Sequence, residues 1–307
     1  MSNPGTPSFD QLHIFLTVVE TGSFAAAGRA LNRATSVISY GIANLEAQLG
    51  VDLFERHTTR KPQLTVAGRA VLAEARAIGQ GIDGLRAKVK GLLEGLEAEV
   101  SLAVDVMLPS HKLATVLRAF AAQFPTVALR LHVEALGAVS NLVLQKSAVI
   151  GVAGPLASEL PGLDCIALCP VRLIPVAAPD HPLAQAGTLR PGMGRDHIQL
   201  VLSDRSPLTE GRDFSVVSPH TWRLADLGAK HALLREGIGW GNMPLSMVEA
   251  DLMAGTLMQL AMPDHPGVDY PLAGIYRSDT PPGPAASWLL QRLAQQAADQ
   301  ALPFAPS

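Results

Sequence analysis

Apolar residues near the amino terminus recur at helical spacing and divide into three short segments. Gly22 and Ser23 end the first segment, since glycine favours a helix stop and a serine hydroxyl caps the next helix. An alanine-rich helix over 24–31 follows, and the turn at 32–35 leads into a third helix that begins near Ser36. The pattern predicts a helix-turn-helix. The apolar series of the first helix is Leu12, Phe15, Leu16 and Val19.

The third helix combines an apolar face with a small, polar face that is nearly free of acid. Its apolar face, predicted to pack on the domain, comprises Ile38, Ile42, Leu45 and Leu49. Hydroxyl, amide and phenol groups on the other face can bond to base edges or phosphates, and alanines allow close approach in a major groove. We predict DNA contacts from Thr35, Ser36, Val37, Ser39, Tyr40 and Asn44.

A basic loop between two short apolar runs follows this helix. The flanks, Leu53-Phe54 and Leu64-Thr65, favour a β-hairpin wing. Its cations can neutralise phosphates, although such a run standing alone is more often a solvated loop. Beside the helical pair, it predicts further DNA contacts from Arg56, Thr58, Arg60 and Lys61.

This amino-terminal stretch resembles the DNA-binding domain of LysR-type transcriptional regulators. The matching residues are Phe15, Gly22-Ser23-Phe24, Ala27, Leu31, Ser39, Ile42, Leu45-Glu46, Leu49-Gly50, Leu53-Phe54, Arg56, Arg60, Leu64-Thr65 and Gly68. The family usually has Ser-Gln before its recognition helix and Arg near position 40, whereas this chain has Ala34-Thr35 and Tyr40. The resemblance implies an all-α winged helix-turn-helix domain over residues 1–65 that binds double-stranded DNA.

The predicted DNA-binding head is formally neutral, with five Lys or Arg against five Asp or Glu in residues 1–65. Nucleic-acid binders usually present a basic surface, so we expect two heads on one palindromic site to supply the affinity. Residues 66–97 lack proline and place apolar residues on one stripe of a helix roughly 45 Å long. Such a stripe cannot be buried alone, which predicts a coiled-coil-like pair. The resemblance likewise implies dimerisation through this long linker helix, with assembly to a dimer or tetramer.

Strands and helices alternate over residues 98–307. We predict strands over 100–106, 127–133, 149–153, 165–178, 199–202 and 272–276, and helices over 112–123, 139–145, 224–236, 245–254 and 285–298. The alternation favours parallel α/β sheets in two subdomains. The resemblance implies a periplasmic-binding-protein-like effector domain of type 2, with subdomain I over about 98–168 and 269–307 and subdomain II over about 169–268.

A small-molecule effector of such a domain is expected in the cleft between subdomains, at strand ends and helix N-termini where backbone N–H groups are free. The candidates by position are Leu108, Pro109, Ser110, His111, Gly137, Ala138, Ser203, Asp204, Trp240 and Asn242, the last two in a loop predicted over 237–244. Turn chemistry and capping explain each of them at least as well. The resemblance implies a Ser or Thr near Asp105 or Val106 to meet an effector carboxylate, and this chain has neither there.

Other chemistries find little support. Cys165 and Cys169 lie on one predicted strand, about 13 Å apart, too far for a disulfide, so buried thiols are expected. No metal spacing, nucleophile elbow or Walker loop is present, so neither a metal nor a cofactor is expected. A ligand-responsive transcriptional regulator is therefore favoured over the alternative, an enzyme or solute-binding domain fused to a DNA-binding head. Without a signal segment or long apolar run, a cytoplasmic protein with no membrane partner is expected.

Overall fold

The computed structural model describes residues 6–55, 62–93 and 95–298. The chain separates into two units, residues 1–90 and residues 91–307. Its helices are α1 (Phe9–Thr21), α2 (Phe24–Ala30), α3 (Thr35–Leu49), α4 (Val66–Leu93), α5 (Ser110–Gln123), α6 (Gly137–Leu144), α7 (Pro182–Gln185), α8 (Leu227–Arg235), α9 (Leu245–Ala254) and α10 (Pro284–Ala298). Its strands are β1 (Glu99–Asp105), β2 (Ala128–Glu134), β3 (Ile150–Ala153), β4 (Leu163–Ala167), β5 (Val171–Ala177), β6 (Gln199–Leu202), β7 (Thr221–Leu224), β8 (Trp240–Pro244), β9 (Met258–Gln259), β10 (Val268–Tyr270) and β11 (Ala273–Arg277).

The first helices begin and end at residues that cap them. Ser8 and Gln11 form a capping box, in which the Gln11 N–H donates to Ser8 Oγ at 3.3 Å and the Ser8 N–H donates to Gln11 Oε1 at 2.7 Å. Gly22 ends α1 at φ 69°, and Ser23 Oγ accepts from the Ala26 N–H at the start of α2. The predicted helix-turn-helix is confirmed.

A small aromatic and aliphatic core holds these helices together. The ring centroids of Phe15 and Phe24 each lie 5.6 Å from that of Phe54, in edge-on contact. Leu49, expected on the packed face of α3, is instead 36% exposed because the helix ends there, past the last core contact at Leu45. Other buried members of this core are Ile14, Val18, Ala27, Ile38, Ile42 and Leu53.

The long helix α4 changes character along its length. Its first turns contribute buried Ala75 to the core of the amino-terminal unit. Further along, the apolar side chains are exposed, by 47% at Ile78 and 60% at Leu85. The helix predicted over 66–97 ends four residues early, at Leu93. Its apolar stripe is thus open to solvent in the single chain.

Two mixed sheets form the second unit. The first sheet has the order β2-β1-β3-β11-β4, with β1 parallel to β2 and β3 and with β11 antiparallel to both neighbours. The second has the order β10-β5-β8-β6-β7, and β9 pairs with β5. The chain passes to the second sheet after β4 and returns after β10, so the return expected at residue 269 falls inside a strand of the second sheet. The predicted class, two α/β halves after a helical head, is confirmed.

One predicted strand is wrong in its extent. Residues 165–178 form two strands, β4 and β5, in different sheets, because Leu168, Cys169 and Pro170 break the run between them. Cys165 and Cys169 therefore do not share a strand. Neither is buried, since Cys165 is exposed and Cys169 half-buried. The expectation of buried thiols is therefore wrong.

The predicted loop over 237–244 is also wrong. Gly237 and Gly239, both at φ 76°, form a turn, and the chain then enters strand β8. This strand lies between β5 and β6 and is buried along its whole length. Gly241 within the strand and the two glycines of the turn before it conceal the strand in the sequence, since they carry no apolar side chain.

Glu46 ties α3 to the chain that follows it. One of its carboxylate oxygens accepts the N–H groups of Leu53 at 2.7 Å and of Phe54 at 3.3 Å. The carboxylate thus lies against the backbone of the segment that follows α3. These two hydrogen bonds occupy an acidic group that would otherwise repel phosphates.

Glu46→Ala is expected to destabilise the amino-terminal unit by about 1–3 kcal/mol, because two backbone N–H groups lose their acceptor. Hydrogen exchange at the amides of Leu53 and Phe54 measures the local effect, and thermal unfolding of the full chain measures the global one. Glu20→Ala, at an exposed position of α1, is the matched control. Equal amide protection in the two variants would contradict this role of Glu46.

Candidate functional site

The polar face of α3 is open to solvent. Tyr40 is 70% exposed and Val37 46%, and Asn44 is half-buried at the edge of this face. Thr35, Ser36 and Ser39 are exposed as well. The structure therefore brings the six predicted contact residues of this helix together on one accessible surface.

Close packing beneath α3 keeps this surface in place. A Cβ at Gly41 would lie 2.8 Å from Ile14 Cδ1 of α1, and a Cβ at Gly28 would lie 2.8 Å from the carbonyl oxygen of Arg33. A larger residue at Gly28 would displace the backbone of the turn, and one at Gly41 would displace the end of the Ile14 side chain. The two glycines therefore let α1 and α2 approach α3 and its preceding turn closely.

The flanks of the predicted wing pair as expected. Phe54 and Leu64 form an antiparallel bridge, and the Glu55 N–H donates to the carbonyl oxygen of Gln63 at 2.8 Å. Thr65 Oγ1 donates to the carbonyl oxygen of Asp52 at 2.7 Å and anchors the second flank. The predicted contacts at Arg56, Thr58, Arg60 and Lys61 lie outside the described residues.

A buried carboxylate joins the two sheets of the second unit. Asp105, at the end of β1, accepts the Met107 N–H at 2.9 Å and the Tyr270 hydroxyl at 2.8 Å. Tyr270 belongs to β10. Its hydroxyl packs so closely against Gly154 that a Cβ at that position would overlap it. Burial raises the pKa of Asp105 from 3.8 to about 6, against the opposing effect of these hydrogen bonds.

A second carboxylate crosses between the sheets at the N-terminus of α6. Asp204, just after β6, accepts the Ala138 N–H at 2.8 Å and also accepts from the Thr209 hydroxyl. Gly137 packs tightly here, since a Cβ would lie 2.8 Å from Thr209 Cγ2. Three predicted effector residues thus meet, although the Ala138 N–H that was expected to bind a ligand already bonds to Asp204.

The residue before α6 is strained. Leu136 has φ 50° and ψ −124°, an uncommon conformation for a branched residue. Such strain is concentrated at ligand sites. Leu136 also lines two neighbouring cavities between the sheets, which we call the inner cavity (about 50 Å³, with Met107, Lys230, Asn242 and Tyr270) and the outer cavity (about 610 Å³, with Ser203, Asp204 and Arg212).

The remaining predicted effector residues do not share one cavity. Leu108, Pro109 and His111 line a third cavity of about 310 Å³ beside Lys112, and Ser110 is exposed at the start of α5. Trp240 lies in the core, where its indole N–H donates to the carbonyl oxygen of Gly194 at 2.9 Å. Trp240 is therefore a core residue of the second sheet and does not line the inner or outer cavity.

Two residues of the inner cavity were missed in the sequence, Lys230 and Tyr270. For Lys230 a usable signal exists, because it is in phase with Leu227 and Leu234 on the buried face of α8. A lysine on an apolar face is rarely buried without a reason. For Tyr270 no local signal exists, since its partner Asp105 lies 165 residues away in the chain.

These features define a class of protein, a regulator with a helix-turn-helix head and a ligand-binding domain of two sheets. Residues 9–69 match the bacterial regulatory helix-turn-helix proteins of the lysR family, and residues 93–298 match the LysR substrate binding domain. The chain belongs to the LysR family of transcriptional regulators. It is a ligand-responsive DNA-binding regulator and not an enzyme.

Individual relatives extend over most of the chain. The HTH-type transcriptional activator AllS of Salmonella paratyphi A is 29% identical over 261 residues, 83% of each chain. The HTH-type transcriptional regulator YhaJ of Escherichia coli O157:H7 is 26% identical over 308 residues, 93% of this chain and 95% of the relative. Full-length LysG of Corynebacterium glutamicum, solved with its effector Arg bound, covers 95% of this chain and 98% of its own at 21% identity and a TM-score of 0.50, which shows the same fold. Among the described residues, no helix is long and apolar enough to cross a membrane.

The raised pKa of Asp105 predicts a pH dependence of stability. The folded chain holds the proton more tightly than the unfolded chain, so the stabilising contribution is complete below the unfolded pKa of 3.8 and is lost as the pH rises through about 6. Between about pH 4.5 and pH 7.5, the unfolding free energy of the wild type should fall by about 2 kcal/mol relative to Asp105→Asn. Urea unfolding at the two pH values measures this difference. Asp196→Asn, at an exposed position, should show no such change, and a constant gap between wild type and Asp105→Asn would refute the prediction.

Proposed function

We propose that this regulator binds promoter DNA as a dimer or tetramer and changes its arrangement when a small-molecule effector binds between its two sheets. In this proposal residues 1–65 form the DNA-binding domain, residues 66–97, which contain α4, provide the dimerisation helix, and residues 98–307 form the effector-binding domain. Subdomain I takes about 98–168 and 271–307, and subdomain II about 169–270, since β10 belongs to the second sheet. The protein acts in the cytoplasm, where promoter DNA lies.

The exposed polar face of α3 is the observation that carries the proposal. It presents a phenol, hydroxyls and an amide on a helix held from behind by two glycine contacts. The Glu46 carboxylate, the acidic group of this helix, is bonded to the backbone N–H groups of Leu53 and Phe54. Such a face fits the major groove, where Tyr40, Ser36 and Asn44 can bond to base edges. Arg60 and its neighbours would then clamp the phosphates.

The effector is proposed to act through the contacts that join the two sheets. Asp204 reaches the N-terminus of α6, and the Arg212 guanidinium bonds to the Glu159 carboxylate at 2.9 Å. Both contacts border the outer cavity, which Ser203 also lines. A ligand there that competes for these groups would change the closure of the sheets, and a two-state protein follows the state that its ligand prefers.

Footprinting on the region upstream of the protein's own gene tests DNA binding. The wild type is expected to protect a specific palindromic site. Tyr40→Ala should alter the preferred sequence of that site, because the phenol is lost from the reading face, as measured by selection from a randomised DNA library.

The matched control is Val51→Ala, an exposed apolar position outside that face, which should keep the wild-type preference. If the wild type protects no specific site at any salt concentration, the proposal is contradicted.

The exposed stripe of α4 predicts how the dimer forms. Leu85→Asp should weaken self-association at least tenfold, because it places a charge in the centre of the apolar stripe. Analytical ultracentrifugation of the full chain measures the dissociation constant. Gln80→Asp, on an exposed polar position of the same helix, should leave it unchanged. Equal dissociation constants for the two variants would place the dimer interface elsewhere.

A further inference from the structure

Lys230 is a cation inside the second unit. Its side chain is 3% exposed, and its Nζ donates to the carbonyl oxygen of Asn242 at 2.7 Å. Within the described residues no carboxylate forms an ion pair with it, and burial alone lowers its pKa to about 8. The ammonium therefore remains largely protonated near pH 7. It has three donors, of which this contact uses one.

The inner cavity, which Lys230 lines, offers donors and few acceptors. The Gln199 amide is occupied, because its nitrogen donates to the carbonyl oxygen of Ser215 and its oxygen accepts from Val217 and Ser218. The side chain of Asn242 bonds to His265. Lys230 therefore supplies the cavity's strongest available donors, and a buried cation gains most from an anion.

The inner cavity is large enough to hold a small charged group. Its volume of about 50 Å³ holds about three to five water-sized spheres, enough for a carboxylate. It shares Leu136, Val201, Leu202 and Phe214 with the outer cavity of about 610 Å³. A molecule can thus place a small head in the first and a larger body in the second.

We infer that the effector carries a carboxylate head, and that Lys230 binds this head in the inner cavity. This inference rests on the proposed effector function of the second unit and names the ligand class for that function. The carboxylate would meet Lys230 of α8, on the side of the second sheet, instead of a Ser or Thr at the end of β1. That end is occupied by Asp105, both of whose oxygens are already bonded to Met107 and Tyr270.

Thermal unfolding of the full-length protein with acetate and with acetamide, its neutral isostere, tests the inference. At matched ionic strength, saturating acetate should raise the Tm by about 3 °C, because it binds only the folded state, and acetamide should not. Lys230→Met should abolish the acetate shift. Lys112→Met is the matched control, since it removes the same charge from the third cavity, and it should retain the shift.

Two results would overturn the inference: equal shifts with acetate and acetamide in the wild type, or an undiminished acetate shift in folded Lys230→Met. If Lys230→Met does not fold, Lys230→Gln takes its place, and the comparison of acetate with acetamide in the wild type still decides. Footprinting without any added anion tests DNA binding separately. A failure there would remove the proposed function, whereas a failure of the acetate test would remove only the ligand class.

Discussion

The hydrogen bond between Asp105 and Tyr270 is the constraint on which the second unit depends. It joins the end of β1 in the first sheet to β10 in the second, and both side chains are buried. A carboxylate withdrawn from water requires donors, and here a backbone N–H and a phenol supply them. This bond therefore joins the two sheets beside the inner cavity, which Tyr270 lines. Two further contacts between the sheets border the outer cavity.

These two contacts are alike in kind. In each, a charged side chain next to the second sheet bonds to a group next to the first sheet. Asp204 bonds to the first turn of α6, and Arg212 pairs with Glu159. Lys230 differs, because its contact with Asn242 is to a carbonyl oxygen within the second sheet and leaves two donors. A buried ammonium that donates to a neutral carbonyl oxygen is suited to select an anion.

The amino-terminal head could be predicted from its sequence because its signals are local. Gly22 and Ser23 mark helix ends within a few residues, and the periodicity of α1 and α3 gives their buried faces. For the second unit, the sequence predicts the α/β class and the two subdomains but not the bounds of every strand. The division of 165–178 at Pro170 and the strand β8 within 237–244 depend on pairing with distant strands. A local pattern does not report such pairing.

The same limit explains the outcome at the cavities. Strand ends could be located, so Gly137, Ala138 and Asp204 could be placed at them, but the bond between Ala138 and Asp204 could not be foreseen. A sequence shows which residues stand at an edge and does not show which charges are already neutralised. Lys230 is the exception, because a lysine on the apolar face of α8 is visible in the sequence and its burial must be compensated. The informative residue at such a site is thus the polar one that breaks an apolar pattern.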